Sequence, residues 1–208
     1  MTMGLTLDAL QITQAGRPLV RLSAHVPPGQ VLTVMGPSGS GKSTLLSAVI
    51  GALPAGFTLS GRILLNGDEI TTQPTAQRRI GLLFQDDVLF PHLSVAQNLG
   101  FGLRQGGTKA ERSERVEAAL ERMGLAGFGP RDPASLSGGQ RARVALARTL
   151  LAEPLALLLD EPFSRLDQTL RAQIRDLVFH ETRNLPVILV THDPEDARAA
   201  AGPVVSPI

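Results

Sequence analysis

Cysteine, tryptophan and tyrosine are absent from this chain of 208 residues, and its only aromatic residues are seven phenylalanines. The lack of cysteine excludes a disulfide scaffold, a thiolate metal site and a cysteine nucleophile. A basic excess is also missing, because 20 Lys and Arg residues oppose 19 Asp and Glu residues. The usual electrostatic signature of a nucleic-acid binder is therefore absent, and we expect no nucleic-acid partner.

Long apolar runs are missing as well. The longest, Leu155–Leu159 and Val187–Val190, fall far short of the roughly 18–20 residues that a membrane-spanning helix needs. The first residues, MTMGLTLDAL, lack a basic start followed by an apolar stretch, so we expect no signal peptide. With 43% hydrophobic residues the chain can bury a sizeable core, and we expect a soluble protein of the cytoplasmic kind.

Strand and helix patterns alternate along the chain. The predicted strands are Leu5–Ile12, Leu19–Val26, Gln30–Met35, an edge strand at Gly61–Asn66, Ile80–Gln85, Leu155–Leu159 and Val187–Val190. Capping boxes at Thr108 and Ser137 begin two of the predicted helices, and Asp167 begins another. This alternation predicts an α/β fold with a mostly parallel core sheet, an N-terminal antiparallel β part and a helical lobe inserted at about residues 90–140.

A glycine-rich segment follows the third strand and reads G-x-x-x-x-G-K-S over residues 36–43. Glycines allow the backbone N–H groups to surround phosphate oxygens, and the following helix N-terminus adds partial positive charge. Lys42 can reach the β- and γ-phosphates, and the Ser43 hydroxyl can bind Mg²⁺. The alternative is a plain strand-to-helix turn with an exposed lysine. The predicted nucleotide-binding residues are Gly36, Pro37, Ser38, Gly39, Ser40, Gly41, Lys42, Ser43 and Thr44.

Two carboxylates, Asp160 and Glu161, follow the buried run Leu155–Leu159. Ligands of open α/β sheets bind at the carboxyl ends of such strands. We expect Asp160 to hold Mg²⁺ and Glu161 to polarise the water that attacks the γ-phosphate. Taken alone, two acidic residues after an apolar run are more often a solvated turn.

The string Leu136, Ser137, Gly138, Gly139 and Gln140 stands at a predicted helix start. Capping explains Ser137 and Gln140 but not two consecutive glycines, each of which costs about 1 kcal/mol in a helix. Glycines fit better where a phosphate approaches the backbone. Since one nucleotide cannot easily fill two separate phosphate sites, we expect two chains to pair head to tail.

Together these motifs resemble the ATP-binding cassette (ABC) ATPases over essentially the whole chain. The matching residues are GPSGSGKST at 36–44, Gln85, LSGGQ at 136–140, LLDEP at 158–162, SRLD at 164–167 and His192. The resemblance implies that Gln85 contacts Mg²⁺ and the attacking water. It implies that Ser164 and Asp167 belong to the D-loop at the dimer seam, and that His192 acts near the γ-phosphate. Alone, Gln85 and His192 are ordinary polar surface residues.

The family usually carries an aromatic residue some 25 positions before the phosphate-loop lysine, where it stacks on adenine. Residues 11–16 of this chain contain no aromatic residue, and Gln14 or Ala15 occupies the place. Because base–aromatic stacking contributes about 1–3 kcal/mol, we expect weaker or less selective nucleotide binding, with GTP accepted alongside ATP.

The segments around Gln85 are similar to those of bacterial ATPases for thiamine, polyamine and iron uptake. That likeness implies a peripheral subunit on the cytoplasmic face of the inner membrane, driven by ATP and Mg²⁺. It also implies a permease that docks near Phe84–Asn98 and a separate solute-binding protein. The alternatives are an ATP-driven clamp of cell-division or DNA-repair type, and a kinase or GTPase that shares only the phosphate loop.

Overall fold

The computed structural model describes residues 3–207, which form two compact units. The first unit contains the described residues up to Leu82, Leu155–Pro162 and the described residues from Phe179 onward. The second contains Leu83–Pro154 and Phe163–Val178. The second unit is larger than the inserted lobe expected at about residues 90–140, because it also includes the rest of the helix that begins at Gly138 and a stretch after Pro162.

Nine strands and seven α-helices are assigned within the described residues. The strands are β1 (Leu5–Gln14), β2 (Arg17–Val26), β3 (Val31–Val34), β4 (Phe57–Leu65), β5 (Asp68–Glu69), β6 (Ile80–Leu83), β7 (Ala156–Asp160), β8 (Val187–Val190) and β9 (Val204–Val205). The helices are α1 (Lys42–Ile50), α2 (Thr75–Arg78), α3 (Val95–Gly102), α4 (Lys109–Arg122), α5 (Gly138–Leu151), α6 (Gln168–Glu181) and α7 (Pro194–Ala200). The α/β prediction, with antiparallel and parallel β parts, is confirmed.

The antiparallel sheet has the strand order β2-β1-β4-β5. The prediction of β4 as an edge strand is wrong, because β1 and β5 pair with its two sides. A β-bulge interrupts the pairing of β4 with β1, and the sequence pattern of β4 does not indicate it. Ala9 of β1 has a φ of 47°, and a Cβ on Gly61 of β4 would lie 2.3 Å from the Ala9 carbonyl oxygen, so glycine is needed at this close approach.

The second sheet has the order β6-β7-β8-β3-β9, and its pairs β7–β8, β3–β8 and β3–β9 are parallel. Strands β3 and β8 are buried at every position, as expected for a sheet covered on both faces. Val34 is in register with Val190, and Val190 with Asp160. The segments that follow β3, β7 and β8 therefore leave the sheet side by side at its carboxyl edge.

Helices α3, α4 and α5 pack together in the second unit. The predicted capping boxes at Thr108 and Ser137 are confirmed, and a third begins α3 at Ser94. Helices α3 and α5 approach closely, since a Cβ on Gly102 would lie 2.2 Å from the Arg148 carbonyl oxygen.

Candidate active site

The phosphate-loop segment connects β3 to α1 in the first unit, as its position in the sequence predicts. Gly41 ends the loop with a φ of 87°, and a Cβ there would lie 2.6 Å from Cγ2 of Val20 and 3.0 Å from Cγ of Leu19. Only glycine fits this position without displacing β2. The first turn of α1 contains no acidic residue, so the positive end of its dipole is not neutralised.

Lys42 lies inside the loop and is 8% exposed. Its Nζ donates to the carbonyl oxygens of Gly36 at 2.8 Å and Pro37 at 2.9 Å. The Ser40 hydroxyl is buried in the same loop and has no hydrogen-bond partner among the described residues. The loop thus holds a buried ammonium and an unsatisfied hydroxyl, and both groups can donate to phosphate oxygens.

Ser43 of α1 and Asp160 at the end of β7 meet at the same edge. The Ser43 hydroxyl donates to Oδ1 of Asp160 at 3.3 Å. Burial raises the pKa of Asp160 and the Glu161 charge adds to this, while the Ser43 hydrogen bond and the Lys42 charge oppose it. A hydroxyl and a half-buried carboxylate form an oxygen donor set that fits a hard cation such as Mg²⁺.

Glu161 follows β7, and His192 follows β8. Nδ1 of His192 lies 3.2 Å from Oε2 of Glu161, and the side chains are 63% and 25% exposed respectively. The Glu161 backbone N–H donates to the Val190 carbonyl oxygen at 2.9 Å, which fixes the residue at a φ of 48°. Such a left-handed conformation is uncommon outside glycine and clusters at functional sites.

One cavity of about 340 Å³ joins the phosphate loop to Glu161 within the first unit. The lining residues are Gln14, Leu19, Ser38, Gly39, Gly41, Lys42, Ser43, Thr44, Phe57 and Glu161. No sequence motif marks Phe57 as a residue of this cavity. The pairing of β1 with β4 places Phe57 directly opposite Gln14. This register cannot be read from the sequence alone.

The remaining predicted site residues belong to the second unit. Gln85 follows β6 and is exposed. Ser137 accepts a hydrogen bond from the Gln140 backbone N–H at 3.3 Å, and the Ser137 backbone N–H donates to the Gln140 side chain at 2.9 Å. Among the other predicted site residues of this unit, Leu136 and Gly139 are buried. Gly138 and Ser164 are half-buried, and Asp167 is exposed.

A charged cluster that the sequence analysis did not find lies in the second unit. Asp86 pairs with Arg165, and Oδ2 of Asp87 lies 3.7 Å from Nε of Arg141. Arg148 donates to the Val88 carbonyl oxygen at 3.0 Å, and its guanidinium stands 5.4 Å from the ring of Phe90. The segment after Gln85 is therefore fastened by side chains to α5 and to the segment before α6.

Comparisons with known proteins agree with this arrangement of motifs. The sequence model of the ABC transporter family matches residues 19–164. The chain is 54% identical over 185 residues to YnjD of Escherichia coli K12, named as an uncharacterized ABC transporter ATP-binding protein, and the match covers 88% of this chain and 85% of YnjD.

Two import proteins are also similar. Identity is 48% to the sulfate/thiosulfate import ATP-binding protein CysA of Gloeobacter violaceus, covering 87% of this chain and 53% of CysA. It is 42% to the Fe(3+) ions import ATP-binding protein FbpC of Agrobacterium fabrum, covering 88% of this chain and 52% of FbpC. The chain thus spans about half the length of these two relatives.

A solved structure has the same fold. It is cbiO1 from Clostridium perfringens, described as part of the ABC transporter complex cbiONQ. It superposes with a TM-score of 0.79 at 32% sequence identity, covering 93% of this chain and 80% of that one.

Proposed function

Since the chain belongs to the ABC transporter family and is an ATP-hydrolysing member of it, we propose that it powers a bacterial small-solute importer. ATP closes a head-to-tail dimer of two copies, and hydrolysis reopens it. The observation that carries the proposal is the single cavity in which the phosphate loop and Glu161 face the same space. The names of the relatives bear out the expected import family without singling out thiamine.

The phosphate loop binds the triphosphate. The backbone N–H groups of Ser38, Gly39 and Gly41 supply donors, and the N-terminus of α1, at Ser43 and Thr44, adds further donors and partial positive charge. Lys42 exchanges the carbonyl oxygens of Gly36 and Pro37 for phosphate oxygens, which accept stronger, charge-assisted hydrogen bonds.

Ser43 and Asp160 would hold Mg²⁺, with Gln85 as the further ligand that the family resemblance implies. When bound, the ion neutralises charge on the β- and γ-phosphates. Within residues 3–207 no group of three or more His, Cys, Asp or Glu side chains is placed to hold a metal ion, and this site does not require one, because phosphate oxygens complete the donor set.

Glu161 orients the attacking water, because this residue lines the cavity beside the phosphate loop. His192 holds the Glu161 carboxylate through Nδ1, and its other nitrogen, Nε2, is left for the γ-phosphate. The two residues leave neighbouring strands in register, so their spacing is set by the sheet rather than by a loop. This placement suits a reaction that depends on positioning more than on covalent chemistry.

The LSGGQ segment acts on the ATP of a second copy. Ser137 is exposed at the N-cap of α5, whose first turn contains no acidic residue, and Gly138 presents backbone without a side chain. A helix start of this kind attracts phosphate. Ser164 and Asp167, which follow β7, would line the seam between the two copies.

The permease docks on the stretch Phe84–Asn98. Phe84 and Val88 are 52% and 56% exposed, so the stretch presents two large apolar side chains to solvent. Asn98 is fully buried, and it binds both backbone groups of Phe90 and the carbonyl oxygens of Leu93 and Ser94. These hydrogen bonds hold the backbone of the stretch in one conformation, which favours it as a docking surface.

The membrane part of the importer would come from other chains. Among residues 3–207 no helix combines the length and the apolar character needed to cross a membrane. A permease and a separate solute-binding protein complete the system, and the chain works at the cytoplasmic face of the membrane. The alternative, a clamp in cell division or DNA repair, is less favoured because the named relatives are import proteins.

The test uses Glu161→Gln, which should bind ATP without hydrolysing it and so trap the closed dimer. The tagged variant is purified from detergent-solubilised membranes with ATP and Mg²⁺, and its partners are identified by mass spectrometry. The matched control is the double variant Glu161→Gln/Ser137→Arg, which should bind ATP without closing. A multi-span permease enriched with the single variant supports the importer, whereas a division or repair protein in its place contradicts it.

A further inference from the structure

We propose that Phe57 at the start of β4 forms the base-binding wall of the nucleotide cavity, opposite the phosphate loop, and makes it selective for purines. The proposal rests on the proposed nucleotide site. It replaces the expectation that this chain offers no aromatic ring to the base, because a ring is supplied by a strand other than the one that the sequence singled out.

The cavity has two kinds of wall. The phosphate loop, the start of α1 and Glu161 form a polar wall with a buried ammonium. Gln14, Leu19 and Phe57 form the other wall, and all three belong to the antiparallel sheet. A nucleotide has the same division, since its charged phosphates are joined through the ribose to a flat, weakly polar base. With the phosphates on the loop, the base is left for the wall that contains Phe57.

The two walls are continuous. Leu19 of β2 packs against the loop, since a Cβ on Gly41 would lie 3.0 Å from its Cγ. Gln14 pairs with Phe57 across β1 and β4, so the two side chains are on the same face of the sheet about 5 Å apart. The wall thus runs from the loop through Leu19 to Gln14 and Phe57.

Phe57 is suited to a stacking role. Its side chain is half-buried and packs against the core cluster of the first unit, which restricts the orientation of the ring. The tip of the β1–β2 hairpin offers no ring, because Ala15 and Gly16 form a tight turn with φ values of 49° and 76°. Phe57 therefore supplies the aromatic face of the cavity.

The chemistry of this wall predicts the choice of nucleotide. A phenyl ring recognises the area of a base rather than its hydrogen-bonding groups, so it favours purines over pyrimidines. The exposed Gln14 carboxamide contains both a donor and an acceptor and suits the edge of either adenine or guanine. We expect Kd values for ATP and GTP within about fivefold of each other, and weaker binding of CTP.

The test measures Kd for ATP, GTP, CTP and inorganic tripolyphosphate on the intact chain and on Phe57→Leu and Phe57→Tyr. Phe57→Leu keeps apolar volume but removes the ring, so ATP and GTP should bind about tenfold more weakly while tripolyphosphate is unaffected. Phe57→Tyr keeps the ring and should bind ATP within about threefold of the original. The control is Thr58→Ala, the next residue of β4, whose side chain points to the opposite face.

Each outcome decides between the claims. Unchanged ATP affinity in Phe57→Leu, or an equal loss for tripolyphosphate, overturns the stacking role of Phe57. If the original chain prefers ATP over GTP by more than 50-fold, the claim that Gln14 accepts the edge of either purine is overturned. If the original chain binds neither ATP nor tripolyphosphate, the nucleotide site itself fails.

Discussion

Nδ1 of His192 lies 3.2 Å from Oε2 of Glu161, although the residues are 31 positions apart in the chain. Their strands are neighbours in register, so the parallel sheet itself sets the distance. Glu161 is the less exposed partner and lines the cavity, whereas His192 stands largely in solvent. We propose that the imidazole orients the carboxylate.

His192→Ala should lower the rate of ATP hydrolysis about 100-fold, because the Glu161 carboxylate loses the group that orients it. The Kd for ATP should change less than threefold, since Lys42 and the loop N–H groups hold the triphosphate and His192 adds at most one contact, to the γ-phosphate. Single-turnover hydrolysis and equilibrium binding check the two statements. His180→Ala, which alters an exposed histidine of α6, is the control and should leave both values unchanged.

Asp160→Asn should abolish the Mg²⁺ dependence of ATP binding and lower turnover by 100-fold or more. Removing the charge weakens a site whose donors are the Ser43 hydroxyl and the Asp160 carboxylate. Binding of ATP in the presence of a chelator should be unaffected. Titration of Mg²⁺ against bound ATP measures the effect. The control is Ser47→Ala, one turn along α1, where the hydroxyl only donates to the Ser43 carbonyl oxygen.

Ser137→Arg should keep ATP binding but reduce hydrolysis about 100-fold, because the bulky cation blocks the exposed start of α5. Ser135→Arg places the same charge two residues earlier and should retain most activity.

Mixing Ser137→Arg with Lys42→Ala is a sharper test. Each mixed dimer would contain one complete site, so activity should partly return. If mixing restores nothing, the head-to-tail arrangement is wrong.

Asp87→Asn should stabilise the protein at neutral pH. Burial raises the pKa of Asp87, with Arg141, Arg165 and Arg148 opposing and Asp86 adding to the shift. The carboxyl group of Asp87 therefore binds its proton more tightly in the folded state than in the unfolded state. The contribution of Asp87 to the stability of the protein falls as the pH rises from the pKa of Asp87 in the unfolded state through its pKa in the folded state. At higher pH this contribution is constant.

Loss of the charge should raise Tm by no more than about 2–4 °C at pH 7, which corresponds to about 1 kcal/mol for a chain of this size. The difference in Tm from the original chain should shrink as the pH is lowered towards 4. Thermal unfolding from pH 4 to 8 measures this, with the exposed Asp68→Asn as the control. A lower Tm for Asp87→Asn at pH 7 would show that the ion pair with Arg141 outweighs the burial.

The sequence predicts the parts of the fold that depend on local pattern. The buried strands β7 and β8, the capping boxes at Thr108 and Ser137 and the start of α1 at the phosphate loop all lie within a few residues of their predicted places. These features depend on neighbouring residues, whose periodicity and capping chemistry are visible in one dimension.

Features that depend on distant residues escape the sequence. The position of β4 inside its sheet follows from its pairing with β1 and β5, and Phe57 enters the cavity only through the register with β1. Arg148 is a charged residue of α5, and charged residues of a helix ordinarily face solvent. Burial instead lowers its pKa, and it binds the Val88 carbonyl oxygen 60 positions away. No local pattern contains these pairings.

The hydrogen bonds from Lys42 to the carbonyl oxygens of Gly36 and Pro37 have a consequence for the working cycle. The chain supplies two partners of its own for the ammonium, so we expect the loop to keep its shape between nucleotides. Product release then leaves a loop that is ready for the next ATP without refolding. The waiting time between turnovers would be set by the encounter with ATP and with the second copy, rather than by rebuilding the site.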